Sequence, residues 1–173
     1  MSTTTSKSVI YPGSFDPITN GHENVIERSL DLFEKVFVAV AKTSSHDKQS
    51  LFNPEERAEI IRELFLGQEG ERVQVILFDG LLVDLAKELQ TPVIIRGLRA
   101  VSDFEYEFQM AQMNRQLESE IETIFLAPDQ QYSFLSSTLV REVATLGGGF
   151  RFRFTTGPQE NVRETMNTEG PSR

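Results

Sequence analysis

Residues 11–22 (YPGSFDPITNGH) combine side chains and backbone groups that could bind a phosphate. Glycine lets a backbone approach a ligand closely, and Ser14 offers both a hydroxyl and an N–H. His22 lies where helical spacing begins, and the free N–H groups and the dipole of a first helical turn favour an anion. Taken alone, a histidine after a Pro/Gly turn is more simply explained as an exposed residue than as a ligand-binding one. Together with the eleven residues before it, the histidine indicates an anion site that uses Ser14 and His22.

Two later segments have the residue types of phosphate contacts. Residues 95–99 (IRGLR) place a glycine between two arginines, whose guanidinium forks suit phosphate oxygens. Residues 132–138 (YSFLSST) end in three hydroxyl side chains, and any of the three could cap a helix. A cap of that kind also directs N–H groups towards an anion. Without further context, these would be surface arginines on a loop and an ordinary helix cap.

The elements that position these segments follow a regular alternation. Short apolar segments predict strands at residues 8–11, 36–41, 73–78, 93–95 and 123–126. Helical spacing follows each of them, beginning near residues 22, 54, 81, 103 and 136 or 137. The alternation predicts an α/β fold, a doubly wound five-stranded parallel sheet of Rossmann-like type in a single domain. Ligands of such sheets bind beyond the carboxyl ends of the strands, where the candidate residues lie.

The composition excludes several classes of function. The chain has 26 acidic and 17 basic residues and a net charge of −9, whereas gripping nucleic-acid backbones calls for a basic face. With no cysteine and two histidines, it cannot use disulfides or thiolates and is unsuited to a transition-metal cage. No apolar run approaches the roughly 20 residues of a membrane span. We therefore expect a cytoplasmic protein with neither nucleic acid nor a membrane as its partner.

Three strings of residues resemble the signatures of one enzyme family. Residues 19–22 (TNGH) are similar to the Thr-x-Gly-His motif of the nucleotidylyltransferase superfamily, and residues 135–141 (LSSTLVR) to its Ile-Ser-Ser-Thr-x-x-Arg motif. With residues 95–115 (IRGLRAVSDFEYEFQMAQMNR), they resemble the phosphopantetheine adenylyltransferases over about residues 8–147. The resemblance implies transfer of the adenylyl group of ATP to phosphopantetheine, giving dephospho-coenzyme A and pyrophosphate in coenzyme A biosynthesis. It also implies direct in-line displacement, with no covalent intermediate.

The same resemblance implies a role for individual residues. His22 would stabilise the transition state, acting as the catalytic residue. The expected ATP-binding residues are Ser14, Phe15, His22, Gly97, Leu98, Arg99, Glu107, Tyr132, Ser133, Phe134, Leu135, Ser136, Ser137 and Thr138. The expected phosphopantetheine-binding residues are Ser14, Lys48, Leu82 and Arg96, with Lys42 as the alternative to Lys48.

Cofactor, assembly and domain boundaries are expected on the same basis. Mg²⁺ would be bound with ATP and not by a protein metal site; Asp16 would either support it from a second sphere or simply belong to a turn. Family likeness implies a homohexamer and feedback binding of coenzyme A. We expect a disordered N-terminal segment at residues 1–7, the nucleotidylyltransferase domain at residues 8–147 and a divergent C-terminal tail at residues 148–173.

Two alternatives to this function stay open at the level of sequence. One is another small-molecule nucleotidylyltransferase, which would join CTP to an alcohol phosphate or ATP to nicotinamide mononucleotide. The run of residues 96–107, Arg-Gly-Leu-Arg followed by Asp-Phe-Glu-Tyr-Glu, favours the pantetheine branch. The other is a non-catalytic nucleotide-binding regulator. A regulator does not need donors aimed at a transition state, and this argues against it, because five such residues are intact: Thr19, His22, Ser137, Thr138 and Arg141.

Overall fold

The computed structural model describes residues 7–43, 50–67 and 70–147. Its strands are β1 (Ser8–Gly13), β2 (Lys35–Ala41), β3 (Val73–Phe78), β4 (Val93–Gly97) and β5 (Glu122–Leu126). Its helices are α1 (Asn20–Leu32), α2 (Pro54–Leu64), α3 (Leu82–Glu88), α4 (Val101–Leu117) and α5 (Ser137–Thr145), with a 3-10 turn at Gln130–Tyr132. The predictions for residues 1–6, for Lys48 and for residues 148–173 lie outside the described residues.

The five described strands form one parallel sheet in the order β3-β2-β1-β4-β5. This confirms the predicted α/β fold class and the doubly wound sheet. The order reverses between β1 and β4, which pair with Ile10 opposite Ile94. In that register both strands end on a glycine, Gly13 and Gly97, so the two carboxyl ends lie side by side. A crevice for a ligand opens at such a reversal.

Helices cover both faces of the sheet. On one face, valines of the central strands pack against α1 and α2, with Val38, Ile26 and Ile61 completely buried. On the other face, Ile10 and Ile94 pack against α3. Burying a side chain of this size contributes about 1.5–3 kcal/mol. Because both faces are covered, the middle residues of the central strands are apolar, and the carboxyl ends of these strands form the base of the crevice.

Local capping explains where the helices near the crevice begin. The Glu56 N–H donates to Asn53 Oδ1 at 2.9 Å, and the Asn53 N–H donates to Glu56 Oε2 at 2.8 Å. This capping box, with Pro54 in the first turn, starts α2 as predicted. The Ser136 side chain accepts a hydrogen bond from the Leu139 N–H at 3.0 Å and caps α5. Ser136 is therefore the cap, and Ser137 the first helical residue.

Several elements differ from the sequence-based expectation. β1 continues two residues beyond Tyr11, because a proline one residue from the end of a strand interrupts little of the hydrogen-bonded ladder. Helix α4 begins at Val101 with Ala100 as its N-cap, two residues before the predicted Asp103. The 3-10 turn ahead of α5 was not predicted, since a single turn leaves no periodic apolar pattern.

We predict that Gly13→Ala destabilises the fold. A Cβ at position 13 would lie 3.0 Å from two ring atoms of Phe15, a side chain that is only 2% exposed. Crowding of this kind costs about 1–3 kcal/mol. The free energy of unfolding in urea measures the effect.

Gly21→Ala is the matched control. A Cβ there would meet its nearest neighbours at 3.6 Å, an ordinary contact, and alanine is a better helix former than glycine. We expect this variant to unfold at the wild-type urea concentration or a higher one. Equal stability of both variants would mean that the Phe15 ring moves to make room for the added methyl group at little cost in free energy.

Candidate active site

A cleft of about 340 Å³ opens over the carboxyl ends of β1 and β4. It brings together ten of the residues expected from the sequence: Ser14, Phe15, His22, Arg96, Gly97, Arg99, Glu107, Ser136, Ser137 and Thr138. A smaller cavity of about 60 Å³ shares His22, Gly97 and Arg99 with the cleft and is also lined by Leu135. The predicted residues therefore converge although they come from four separate elements of the chain.

The remaining expected residues lie elsewhere. Four of them line neither cavity: Leu98, Tyr132, Ser133 and Phe134. The Cβ of Tyr132 nevertheless lies close to Gly21, which lines the smaller cavity. The Phe134 side chain is largely exposed. Leu82 packs against the core cluster on the α3 face of the sheet. Lys42, the alternative to Lys48, directly follows β2, and its N–H donates to the Phe78 carbonyl at 2.9 Å.

The start of α1 fixes the orientation and tautomer of His22. Thr19 is the N-cap, and its backbone N–H donates to Nδ1 of His22 at 3.1 Å. The Thr19 hydroxyl lies 2.9 Å from the same nitrogen. An N–H can only donate, so Nδ1 must be the acceptor and the proton of the neutral ring belongs on Nε2. His22 thus occupies the place of the glutamate in a capping box, and its Nε2–H is the donor available to a ligand.

The surroundings of His22 keep the ring neutral. Burial, together with the positive charges of Arg99 and Arg96, lowers the pKa of His22 from 6.5 to about 4. The Phe15 ring meets the imidazole edge to face, with centroids 5.2 Å apart, and Tyr11 lies 6.4 Å away at a tilt. At neutral pH the imidazole is therefore a hydrogen-bond donor and not a cation.

Phe15 contacts the site in a way that the sequence does not reveal. Its side chain is only 2% exposed and packs on Gly13, so only its backbone is available to a ligand. Its φ of 50° lies in the left-handed region, which is disfavoured for a residue with a large side chain. The surrounding contacts must therefore hold this conformation in place.

Side chains from other elements hold four backbone carbonyls of residues 12–17, which form the end of β1 and the loop that follows it. Arg96 donates to the Pro12 carbonyl at 2.7 Å, and Ser137 donates to the Pro17 carbonyl at 2.8 Å. Arg57 of α2 donates to the Ser14 carbonyl at 2.6 Å, and Arg141 of α5 donates to the Asp16 carbonyl. Each of these four carbonyl oxygens therefore accepts a hydrogen bond from a side chain, which weakens its repulsion of an anion.

The arginines make the cleft more basic than the chain as a whole. Arg96, Arg99 and Arg141 line it together with the acidic Asp103 and Glu107. Glu107 accepts two hydrogen bonds of 2.6 Å from Arg96, one from Nε and one from Nη2. A guanidinium has five donors, so beyond the bonds to Glu107 and Pro12 each terminal nitrogen of Arg96 retains one N–H for a ligand. Arg99 is held by Asp103 and by the Leu135 carbonyl.

Comparison with known proteins identifies the family. Residues 10–143 match the cytidylyltransferase-like family model. A phosphopantetheine adenylyltransferase of Geotalea daltonii is 56% identical over 82% of this chain and 86% of its own length. The enzyme of the same name from Alkalilimnicola ehrlichii is 52% identical over 80% of this chain and 79% of its own. The chain belongs to the phosphopantetheine adenylyltransferase family. Its function is accordingly adenylyl transfer in coenzyme A biosynthesis.

More distant solved structures share the fold of this adenylyltransferase. A bifunctional NMN adenylyltransferase/ADP ribose pyrophosphatase from Francisella tularensis superposes with a TM-score of 0.66 at 16% identity, over 95% of this chain and 50% of that one. A lipopolysaccharide core biosynthesis protein from Thermoplasma volcanium superposes with a TM-score of 0.52 at 21% identity, over 70% of this chain and 95% of that one. Among the helices that the structure describes, none combines the length and apolar character needed to span a bilayer.

Asp16 is a structural residue of this adenylyltransferase. Its carboxylate accepts hydrogen bonds from the N–H groups of Leu51 and Phe52 at 3.1 and 3.0 Å. It also lies 3.7 Å from Arg141, and the residue is only 3% exposed. These contacts support the turn interpretation, because the carboxylate binds the backbone just ahead of α2.

Some residues of the adenylyltransferase site were not singled out from the sequence. Tyr11, Asp103 and Tyr106 line the cleft, but an aromatic in a strand and an acid in a first helical turn have common structural explanations. Arg57 lies behind the cleft, four residues before Ile61 on the buried face of α2. A charged residue at an apolar position of a helical pattern is the signal that could have revealed it.

We predict that His22 titrates with a pKa near 4 in the free enzyme. Nitrogen chemical shifts of the imidazole should report the Nε2–H tautomer at neutral pH, with the signal assigned by its loss in His22→Gln. Bound ATP should raise this pKa, because a nearby triphosphate favours the imidazolium. A pKa close to 6.5 in the free enzyme would contradict the structure.

The same shift predicts how stability depends on pH. Between pH 6.5 and about 4, the unfolded chain binds a proton at position 22 that the folded chain does not. The free energy of unfolding should therefore fall as the pH falls through this range. His22→Gln should lose less stability than the wild type between pH 7 and pH 4.5 in urea titrations. An equal loss in both proteins would show that His22 titrates normally.

Proposed function

We propose that the chain transfers the adenylyl group from ATP to phosphopantetheine by direct in-line displacement, giving dephospho-coenzyme A and pyrophosphate. The observation that supports this mechanism best is the neutral His22, whose Nε2–H is a donor and whose Nδ1 is occupied by Thr19. The Thr19 hydroxyl is near the imidazole, but the residue is only 4% exposed and cannot attack a substrate. The site thus offers donors for a phosphorus centre and uses the phosphate of phosphopantetheine as its nucleophile.

In this proposal the two sides of the cleft bind different phosphates. His22 donates to the α-phosphate and stabilises the charge that develops there in the transition state. Arg99 and the N-terminus of α5, at residues 136–138, bind the remaining phosphates of ATP. Arg96 and Ser14 bind the phosphate of phosphopantetheine. Holding both anions in one geometry supplies much of the rate acceleration, because the reaction needs no enzyme nucleophile.

Glu107 acts through Arg96 in this scheme. Both of its oxygens accept from Arg96, and its side chain is only 12% exposed. The resemblance assigned Glu107 to ATP, and the ion pair supports a role in aiming the guanidinium. A bidentate pair of this kind fixes the plane of the fork.

Mg²⁺ enters with ATP as part of the substrate in our proposal. The described residues contain no group of three or more His, Asp or Glu side chains suited to a metal. Magnesium commonly keeps several waters and binds through substrate phosphates. The ion lowers the charge of the triphosphate, and the arginines of the cleft bind the oxygens that remain.

We also propose a homohexamer as the assembly, with α4 contributing to its interface. One stripe of side chains on α4 is apolar and exposed. Of these side chains, only Tyr106 lines the cleft. The members of the stripe recur at helical spacing and are Tyr106, Met110, Met113 and Leu117, which are 41–62% exposed. Large exposed apolar patches mark interaction surfaces. Family likeness favours a second copy of the chain as the partner.

Two further features belong to the proposal and depend on family likeness. Coenzyme A would bind the cleft as a feedback inhibitor, because it shares the pantetheine arm of the substrate. The enzyme would work in the cytoplasm, where ATP is available. The rival substrates are CTP with an alcohol phosphate and nicotinamide mononucleotide with ATP. A panel of these acceptors, assayed by pyrophosphate release, separates the three reactions.

We predict that His22→Ala lowers kcat by about 10²–10³-fold, the usual cost of losing one transition-state donor. The KM for ATP should change by less than about fivefold, because the interaction strengthens only in the transition state. Chromatography of dephospho-coenzyme A formed from ATP, magnesium and phosphopantetheine gives both constants.

His22→Gln is the matched variant for this prediction. Its amide nitrogen can donate from nearly the position of Nε2, so it should retain more activity than His22→Ala. If glutamine were as inactive as alanine, His22 would act by transferring a proton and not by donating a hydrogen bond. Equal losses in kcat and in ATP affinity would mean that His22 only holds the substrate.

We predict that light scattering gives a mass six times that of the chain, and that Met113→Glu reduces it. A charge in the middle of the apolar stripe is costly to bury in an interface. Gln112→Glu places the same charge on an exposed position of α4 outside the stripe and should leave the mass unchanged. A monomeric wild type would contradict the proposed assembly.

A further inference from the structure

The buried arginine of α2 lies directly behind the loop of residues 12–17. Arg57 is only 2% exposed, although arginine is rarely buried to this extent. Its Nη1 donates to the Ser14 carbonyl at 2.6 Å, and its Nε donates to the Asn53 carbonyl at 3.3 Å. It does not line the cleft. A buried cation is costly unless its donors form hydrogen bonds. The hydrogen bond from Arg57 to the Ser14 carbonyl is therefore an unusual feature that requires an explanation.

The carbonyl that Arg57 holds belongs to the peptide between Ser14 and Phe15. That peptide precedes a residue with a φ of 50°, a conformation disfavoured for phenylalanine. The hydrogen bond from a charged donor fixes one end of the peptide plane. The packing of the Phe15 ring against Gly13 and Tyr11 fixes the other end. Arg57 is thus one of two restraints that keep Phe15 in the left-handed region.

The ring of Phe15 in turn sets the surroundings of His22. The two rings meet edge to face with centroids 5.2 Å apart and an interplanar angle of 72°. A rotation of the Ser14–Phe15 peptide would move this ring and admit water to the imidazole. The path from α2 to His22 therefore consists of one hydrogen bond, one constrained backbone and one ring contact.

The loop and α2 are also joined in the opposite direction. Asp16 accepts hydrogen bonds from the N–H groups of Leu51 and Phe52, just before the first residue of α2. The acidic side chain of the loop thus binds the α2 segment, while the basic side chain of α2 binds the loop. This reciprocal pairing sets the distance between Arg57 and the Ser14 carbonyl.

We propose that Arg57 is a positioning residue for catalysis. By donating to the Ser14 carbonyl it fixes the backbone of Phe15, and the Phe15 ring in turn fixes the orientation of the His22 imidazole. The inference rests on the proposed role of His22 in adenylyl transfer. Since Arg57 lies behind the loop, it contacts neither substrate. Its loss therefore reduces turnover more than it reduces affinity for ATP.

The test compares Arg57→Lys and Arg57→Met with Arg62→Met. Lysine keeps the charge, but its donors all lie on one nitrogen and cannot reproduce the planar fork that reaches two carbonyls. Arg62 lies on the same helix, is exposed and pairs with Glu59 at 3.1 Å, so Arg62→Met controls for removal of an arginine from α2. For each folded variant we would measure kcat, the KM for ATP, the melting temperature and the imidazole signal of His22.

We expect kcat to fall about tenfold in Arg57→Lys and about a hundredfold in Arg57→Met, since small displacements of catalytic groups have effects of this size. The KM for ATP should stay within about threefold of the wild type, and the His22 pKa should move up towards its ordinary value. Arg62→Met should match the wild type in each respect. If Arg57→Met does not fold, Arg57→Lys provides the test.

A lowered melting temperature with unchanged kcat and an unmoved His22 signal in Arg57→Lys would overturn the inference, because Arg57 would then only support the fold. Failure of the proposed function is recognised separately, since the wild-type enzyme would then form no dephospho-coenzyme A. The His22 signal needs no turnover, so it tests the link from Arg57 to His22 in either case.

Discussion

The active site depends on how the backbone of residues 12–17 is held. Four carbonyls of this loop accept hydrogen bonds from side chains of β4, α2 and α5. Free carbonyl oxygens at this position would repel phosphate groups, and the four hydrogen bonds also restrain the backbone. Arg96, Arg141 and Ser137 both hold the loop and line the cleft. The same side chains therefore both restrain the loop and provide hydrogen-bond donors at the surface of the cleft.

His22, the proposed catalytic residue, is part of the helix cap that orients it. In most capping boxes a glutamate or glutamine at the third helical position accepts from the N-cap N–H. Here His22 occupies that position and accepts from Thr19 through Nδ1. The cap thereby determines which ring nitrogen bears the proton and where it points. Lowering the pKa of the ring to about 4 keeps this donor neutral while the triphosphate is absent.

The sequence predicted the fold and much of the site because both follow from local patterns. Buried strands are continuously apolar, and helix starts such as that at Asn53 depend on residues within one turn. Residues after β1 and β4 were expected to meet because parallel strands share one carboxyl edge. The tautomer of His22, the left-handed Phe15 and the contact from Arg57 were beyond this reasoning, since each depends on tertiary distances. Phe134 shows a second limit of prediction from sequence: its place in a motif does not show whether its side chain, which is largely exposed, reaches the cleft.

We propose that the site accelerates the reaction by positioning two phosphates, with no covalent link to the enzyme. The most direct test follows the stereochemistry at the α-phosphorus of ATP. A single diastereomer of ATP with sulfur and labelled oxygen at that phosphorus would be converted with phosphopantetheine, and the configuration of the product determined. One in-line displacement inverts the configuration, which is the result this account predicts. Retention would indicate two displacements through an enzyme-bound adenylyl group and would contradict it.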